Sequence, residues 1–228
     1  GKRLYELLGV VGSVPALSGA AFYWVESNSY AGKTSRTVDR VLEQQIQPRD
    51  DGSAEVRLTA RYVNLAQGQG SCVQPSLAPN PPCYWALVRL YLPEGLEDVR
   101  PGALPAPTGA LAAGRLGGTP DPVAMAIVAV APGRRALEVS AFFAVPPDGT
   151  VEWTVEYQLP PGAFNAAAGP FWAPTLQPGM APVRIKVKTL PLVGLCGTSQ
   201  ATVVEKTYWR APDAALQVFS ETSHGCPP

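Results

Sequence analysis

The stretch Ala54-Glu-Val-Arg-Leu-Thr-Ala-Arg-Tyr62 alternates apolar and polar side chains with a period of two. Val56, Leu58 and Ala60 fall on one face of an extended chain, and charged or hydroxyl side chains fall on the other. Because successive side chains of a strand point to opposite faces, the pattern predicts a strand with one buried and one solvated face. The same alternation recurs in Val151–Leu159 and Val183–Lys188.

Other stretches add further strands. Apolar residues occupy nearly both faces of Tyr84–Leu92, Val123–Ala131 and Leu137–Val145, which is typical of central strands or of strands covered from outside. Strands are also predicted at residues 20–26, 36–47, 201–210 and 215–220; for 36–47 a helix is the weaker alternative. Turn residues separate the strands, as in Pro48-Arg-Asp-Asp-Gly52, Ala131-Pro-Gly-Arg134 and Pro146-Pro-Asp-Gly149. The sequence therefore predicts a mainly β fold, an antiparallel β-sandwich (Ig-like or related) or a related barrel.

The predicted organisation is an N-terminal apolar arm at residues 1–19 followed by a single β-sandwich domain at 20–228. The arm is apolar, but its glycines and Pro15 argue against a membrane-spanning helix. We therefore expect a short helix or an extended segment. Two long loops rich in proline and glycine are predicted at 93–122 and 160–182. Because the chain begins at Gly1 and not at a methionine, we expect a processed or truncated N-terminus with a membrane anchor upstream.

Composition argues against several classes of function. The chain of 228 residues has 18 basic and 18 acidic side chains, and this neutral balance does not favour nucleic acid as a partner. The single histidine, His224, lies near the C-terminus, where it is a poor candidate for general acid–base catalysis. Acidic residues are mostly expected in turns, and no pair is assigned to a glycosidase-like site. The sequence thus predicts a non-enzymatic protein with no catalytic residues, metal site or cofactor.

The four cysteines form two local pairs. Cys72 and Cys83 bracket a proline-rich loop, and Cys196 and Cys226 bracket the last two predicted strands. Two disulfides are predicted, 72–83 and 196–226, with four buried free thiols as the alternative. Disulfides form in oxidising compartments, so the prediction favours an extracellular protein at the cell surface.

The order of several motifs resembles a known family. These are AFYWVESNSYAGKTSRTVDRVLEQQIQ, DGSAEVRLTARYVN, YWALVRLYLPEG, VEWTVEYQLP and LQPGMAPVRIKV. In this order they resemble the C-terminal part of the bacterial cell-envelope family catalogued as domain of unknown function four thousand and twelve, over about residues 20–190. The matching positions are Asn28, Lys33, Asn64, Leu92-Pro93 and Gln177-Pro178-Gly179. The resemblance implies a bacterial envelope protein with an upstream anchor and an extracellular β region, and it implies no catalytic residues.

The sequence leaves two main hypotheses for function. The first is a structural protein of the bacterial surface that assembles with itself or with other envelope components into a filament or layer. Its predicted assembly residues are Leu4, Leu7, Leu8, Val10 and Val11 in the arm, which could instead pack on their own domain. The second is a carbohydrate-binding or polysaccharide-associated surface module, which would use Trp85, Trp153, Trp172 or Trp209 as a stacking platform. Of these, Trp172 is the best candidate, whereas the alternation places Trp153 on the inward face, where a core role is expected.

The balance of residue types also indicates a heat-adapted source. Arginine outnumbers lysine, and the chain has only 2 methionines. A genome rich in G and C would produce much of the same bias, so this reading stays open.

Overall fold

Strands make up nearly all of the regular structure. The computed structural model describes residues 17, 21–28, 34–68, 72, 83–107, 122–163, 175–176, 183–190, 202–210 and 217–224. Their strands are β1 (Tyr23–Asn28), β2 (Val38–Pro48), β3 (Ala54–Asn64), β4 (Tyr84–Pro93), β5 (Glu97–Pro101), β6 (Val123–Ala131), β7 (Arg134–Val145), β8 (Thr150–Leu159), β9 (Thr175–Leu176), β10 (Val183–Thr189), β11 (Thr202–Arg210) and β12 (Gln217–His224). A 3₁₀ turn, Thr34–Thr37, precedes β2.

The strands form two sheets. One has five strands in the order β6-β7-β4-β1-β9, and the other has seven in the order β12-β11-β10-β2-β3-β8-β5. Most neighbours run antiparallel, but β10 pairs parallel with β2, and β9 pairs parallel with β1. The fold is a β-sandwich, as the alternating pattern predicts, with mixed rather than purely antiparallel sheets.

Alternate side chains of both sheets meet in one core. In β2 and β3 the burial pattern changes with every residue, so that Leu42, Ile46, Val56 and Leu58 point inward and are at most 2% exposed. The five-stranded sheet contributes alternate residues of β4 and β7 to the same cluster. Burial of apolar side chains is the main favourable term in folding. A segment with a period of two buries all its apolar side chains on one side when it is extended, so these segments form strands.

Two sequence expectations about these strands were wrong. β6 was expected to be central or covered because it is apolar on both faces, but it lies at an edge of the five-stranded sheet. The segments 93–122 and 160–182 were expected to be long loops, yet Glu97–Pro101 pairs with β8 as the edge strand β5, and Thr175–Leu176 pairs with β1 as β9. Strand order depends on which distant segments pair, and local composition does not report it.

Turn chemistry was read correctly at the β2–β3 and β6–β7 hairpins. Gly52 and Gly133 adopt positive φ values of 73° and 70°, a conformation that glycine reaches without steric cost. In the first turn the Arg49 amide donates to the Ser53 carbonyl at 2.9 Å. These turns hold each pair of neighbouring strands in register.

The predicted disulfide between Cys72 and Cys83 is present, with the two Cα atoms 5.7 Å apart. Cys83 is fully buried and packs with Trp85 and Phe142 on the outer face of the five-stranded sheet. The bond therefore joins Cys72 to the buried cluster of Cys83, Trp85 and Phe142. Cys196 and Cys226 lie outside the described residues, and their pairing stays a prediction.

Replacing both Cys72 and Cys83 by alanine should lower the free energy of unfolding by about 2–4 kcal/mol, because the open loop gains entropy in the unfolded chain. Urea denaturation followed by tryptophan fluorescence would measure the loss. Mass mapping without reduction should recover the 72–83 peptide pair from the unaltered protein. A 72–196 crosslink, or free thiols at positions 72 and 83, would contradict both the pairing and this account of stability.

Candidate interaction surface

The described residues include only some of the predicted functional positions. Cys72 and Cys83 are joined, as above. The arm residues proposed for assembly, Leu4, Leu7, Leu8, Val10 and Val11, lie outside the described residues. Of the arm, only Leu17 is described; it is half-buried against the outer face of the five-stranded sheet, next to Tyr23 and Tyr91.

The tryptophans do not supply an exposed platform for a sugar ring where the structure describes them. Trp85 and Trp153 are 1% and 2% exposed, so both are core residues. For Trp85 this contradicts the proposed stacking role, since its ring packs against Phe142 and Cys83. Trp172 and the side chain of Trp209 lie outside the described part of the chain.

A buried polar network connects the two sheets. Glu26 of β1 faces Arg40 of β2, with 2.7 Å between Glu26 Oε1 and Arg40 Nε, and their side chains are 5% and 1% exposed. Tyr62 donates its hydroxyl to Glu26 Oε2 at 2.8 Å, and the Tyr84 hydroxyl donates to Glu26 Oε1. The guanidinium also donates to the Val38 carbonyl and lies 4.9 Å from the centre of the Tyr84 ring. Each sheet thus contributes two of the four side chains.

Three side chains in this network, Tyr62, Tyr84 and Arg40, have raised pKa values. Burial and the neighbouring Glu26 carboxylate raise the pKa of Tyr62 well above its ordinary value, and the same two causes raise that of Tyr84. Burial alone would lower the pKa of Arg40, but the Glu26 charge and the contacts with Tyr84 raise it overall. The phenols and the guanidinium therefore remain donors near neutral pH. The network is suited to joining the sheets rather than to proton transfer.

The sequence carried a signal for this network. Arg40 and Gln44 share the phase of Val38, Leu42 and Ile46 in β2, so the alternation places them on the buried face. Gln44 is indeed buried, and its amide donates to the Tyr157 hydroxyl at 3.3 Å. A buried arginine requires an anionic partner, although the alternation does not say which carboxylate supplies it.

Asn64, one of the positions that the family resemblance marked, has a positioning role at the end of β3. The side chain is fully buried, and its Nδ2 donates to the Val145 carbonyl at 3.1 Å. Its Oδ1 accepts from the Thr37 hydroxyl at 3.2 Å and from the Ala66 amide at 3.1 Å. The asparagine therefore fastens the end of β3 to β7 and to the turn before β2.

A polar groove of about 310 Å³ lies on the solvated face of the seven-stranded sheet. Gln45, Arg57, Glu156, Gln158 and Arg100 contribute to its lining. The Glu156 carboxylate accepts from Arg57 Nε at 2.8 Å, and Arg100 Nη2 lies 3.9 Å from its second oxygen. The groove offers hydrogen-bonding groups, but Tyr157, the one described aromatic residue of its lining, is 1% exposed.

Within the described ranges, no group of three or more His, Cys, Asp and Glu side chains is arranged to hold a metal ion. The described helical structure also includes nothing long and apolar enough to cross a membrane.

The edge strand β6 is the main exposed apolar feature. Its sequence, Val-Ala-Met-Ala-Ile-Val-Ala-Val-Ala, has no charged or polar side chain. Met125 is 49% and Ile127 43% exposed, although both lie directly opposite inward-facing residues of β7, Val139 and Leu137. They thus extend the inner apolar face of the sheet to its rim, where water reaches them.

The other described sheet edges are protected in ways that β6 is not. β5 reads Glu-Asp-Val-Arg-Pro and has an irregular register between Glu97 and Arg100. β9 has two residues, and β12 reads Gln-Val-Phe-Ser-Glu-Thr-Ser-His. Charges, proline and short length discourage pairing with another chain, whereas a long apolar edge invites it. β6 has a register irregularity only near its end, between Ala129 and Ala131. β6 is therefore the candidate interaction surface.

Fold and surface together define a β-sandwich protein with one unprotected apolar sheet edge among its described strands. Comparison of the chain with protein-family models, curated proteins and solved structures returned no match. Function is therefore inferred from the chain's own residues.

Proposed function

We propose that this chain is a non-enzymatic structural protein of the bacterial cell surface that associates with copies of itself. The observation that carries the proposal is the edge strand β6, with Met125 and Ile127 exposed on an uncharged strand of nine residues. An exposed apolar edge has a cost in solubility, because it also attracts unrelated strands. Its presence beside three better-protected edges is explained if pairing is its purpose.

Two further properties support this proposal. The neutral balance of 18 basic and 18 acidic residues gives little long-range repulsion between copies. The Cys72–Cys83 disulfide is compatible with an oxidising, extracellular environment. The buried ion pair between Glu26 and Arg40 links the two sheets, which suits a rigid structural module.

The full chain should therefore sediment as a species larger than the monomer, and its average mass should rise with concentration. Sedimentation velocity, with electron microscopy of the same samples, would measure this. His224→Ala is the matched control, because the only histidine is not expected to serve any activity or contact. A protein that stays monomeric across the accessible concentration range would refute self-association, and an activity lost with His224→Ala would refute the non-enzymatic assignment.

A further inference from the structure

The direction of the peptide groups along β6 follows from one hydrogen bond. The Phe142 amide donates to the Pro122 carbonyl at 2.8 Å, and the β6–β7 register continues from there through Ala124–Ser140, Ala126–Glu138 and Val128–Ala136. In an antiparallel pair, peptide groups point alternately toward and away from the neighbouring strand. Those of Met125, Ile127 and Ala129 therefore point away from β7, toward the open edge.

These outward groups are arranged so that the strand can pair with itself. A two-fold axis at Ile127 places Ile127 opposite Ile127, Met125 opposite Ala129 and Val123 opposite Ala131. Over Met125–Ala129, where β6 is regular, each outward-pointing residue then meets another, which is the arrangement antiparallel pairing requires. The register irregularity between Ala129 and Ala131 lies at the two ends of the overlap. Each large side chain except Ile127 meets a small one, and no charge faces another charge.

We propose that β6 of one molecule pairs antiparallel with β6 of a second copy about this axis, joining two five-stranded sheets into one continuous sheet. The inference rests on the proposed self-association and specifies its partner and register. Pairing would form about six hydrogen bonds between Met125, Ile127 and Ala129 of the two copies. It would also bring together the exposed Met125 and Ile127 side chains of both copies, on the same face of the joined sheet.

A two-fold contact between β6 strands limits this assembly to two copies. An interface that uses the same strand on both copies produces a dimer and cannot by itself extend into a filament. Any longer polymer must use a second surface, for which the arm residues Leu4–Val11 remain the sequence-based candidate. The dimer would then be the repeating unit.

The first test places a charge at the axis. Ile127→Lys should raise the dimer dissociation constant at least about 100-fold, because two like charges would lie opposite each other where apolar side chains were buried. Leu65→Lys is the matched control: Leu65 is 65% exposed, lies beyond the end of β3, and its replacement should leave dimerisation unchanged. Far-ultraviolet circular dichroism should show both variants folded, since both side chains are exposed.

The second test reads the register. Ile127→Cys should give a disulfide-linked dimer on mild oxidation, because directly opposite Cα atoms in a hydrogen-bonded pair lie about 5.5 Å apart, within reach of a disulfide. Ala126→Cys, which faces the other side of the sheet, should give much less. The unaltered protein controls for its own four cysteines.

The outcomes separate the two proposals. If Ile127→Lys associates as tightly as the unaltered protein, the β6 pairing is wrong while self-association stands. If Ala126→Cys crosslinks and Ile127→Cys does not, the register about Ile127 is wrong. A monomeric unaltered protein would overturn both self-association and the β6 pairing. The open edge of β6 would then be a candidate site for a strand from a different protein.

Discussion

Glu26→Gln should lower the free energy of unfolding by about 3–5 kcal/mol, the usual cost of removing one partner from a buried ion pair. The substitution keeps the shape of the side chain but removes the charge that faces the Arg40 guanidinium across 2.7 Å. It also weakens the acceptor that receives the hydroxyls of Tyr62 and Tyr84. Because these four side chains come from both sheets, the loss should reduce the cooperativity of the whole sandwich. Equilibrium unfolding in urea would measure it.

A double-mutant cycle distinguishes a coupled pair from two independent losses. Arg40→Met alone should also be costly, whereas Glu26→Gln combined with Arg40→Met should cost clearly less than the sum, since replacing both partners leaves no unneutralised charge. Glu55→Gln is the matched control. Its ion pair with Arg49 has both side chains about half exposed, and its loss should cost about 0–1 kcal/mol. Equal effects of Glu26→Gln and Glu55→Gln would show that the buried pair does not stabilise the fold.

Trp153→Ala should lower the free energy of unfolding by about 3–5 kcal/mol, because removing a large buried ring leaves a cavity in the core. The side chain is 2% exposed, and its ring lies at an angle to that of Trp24 with 6.1 Å between centroids. Its Nε1 donates to the Gly102 carbonyl at 3.1 Å, which holds the chain just after β5 against β8. Chemical denaturation, together with hydrogen exchange of β5 and β8, would report both consequences.

Trp153→Phe should fall between the unaltered protein and Trp153→Ala, since it restores much of the ring volume without the hydrogen bond. Leu65→Ala, at a site 65% exposed, should change stability by no more than about 0.5 kcal/mol. A loss below about 1 kcal/mol for Trp153→Ala would mean that the ring is not part of the core, and would reopen its candidacy as a sugar platform.

The interior and the rim of this sandwich have different properties. Inside, Glu26, Arg40 and two tryptophans, Trp24 and Trp153, are buried, and the Glu26–Arg40 pair joins the two sheets. At the rim, β6 exposes apolar side chains along an open edge. Such an edge can accept one further strand from another chain.

Much of the fold could be predicted because its signals are local. The alternation in Ala54–Tyr62, Val151–Leu159 and Val183–Lys188 marks strands whose bounds agree with β3, β8 and β10 to within two residues. The Pro-Arg-Asp-Asp-Gly turn predicts the β2–β3 hairpin, and the close spacing of Cys72 and Cys83 predicts their bond. Each of these features is set by residues near one another in the chain, where side-chain periodicity and turn geometry act directly.

Only the tertiary structure decided which strands lie at the edges and which polar groups meet. The apolar composition of β6 suits a central strand equally well, and it is an edge strand because β7 is the one described strand that pairs with it. Glu26 and Arg40 are 14 residues apart in sequence and belong to different sheets. The physical reason is that alternation specifies which face of a strand is buried, whereas the choice of neighbour depends on pairing between segments distant in sequence. The buried network and the open edge both arise from that long-range choice.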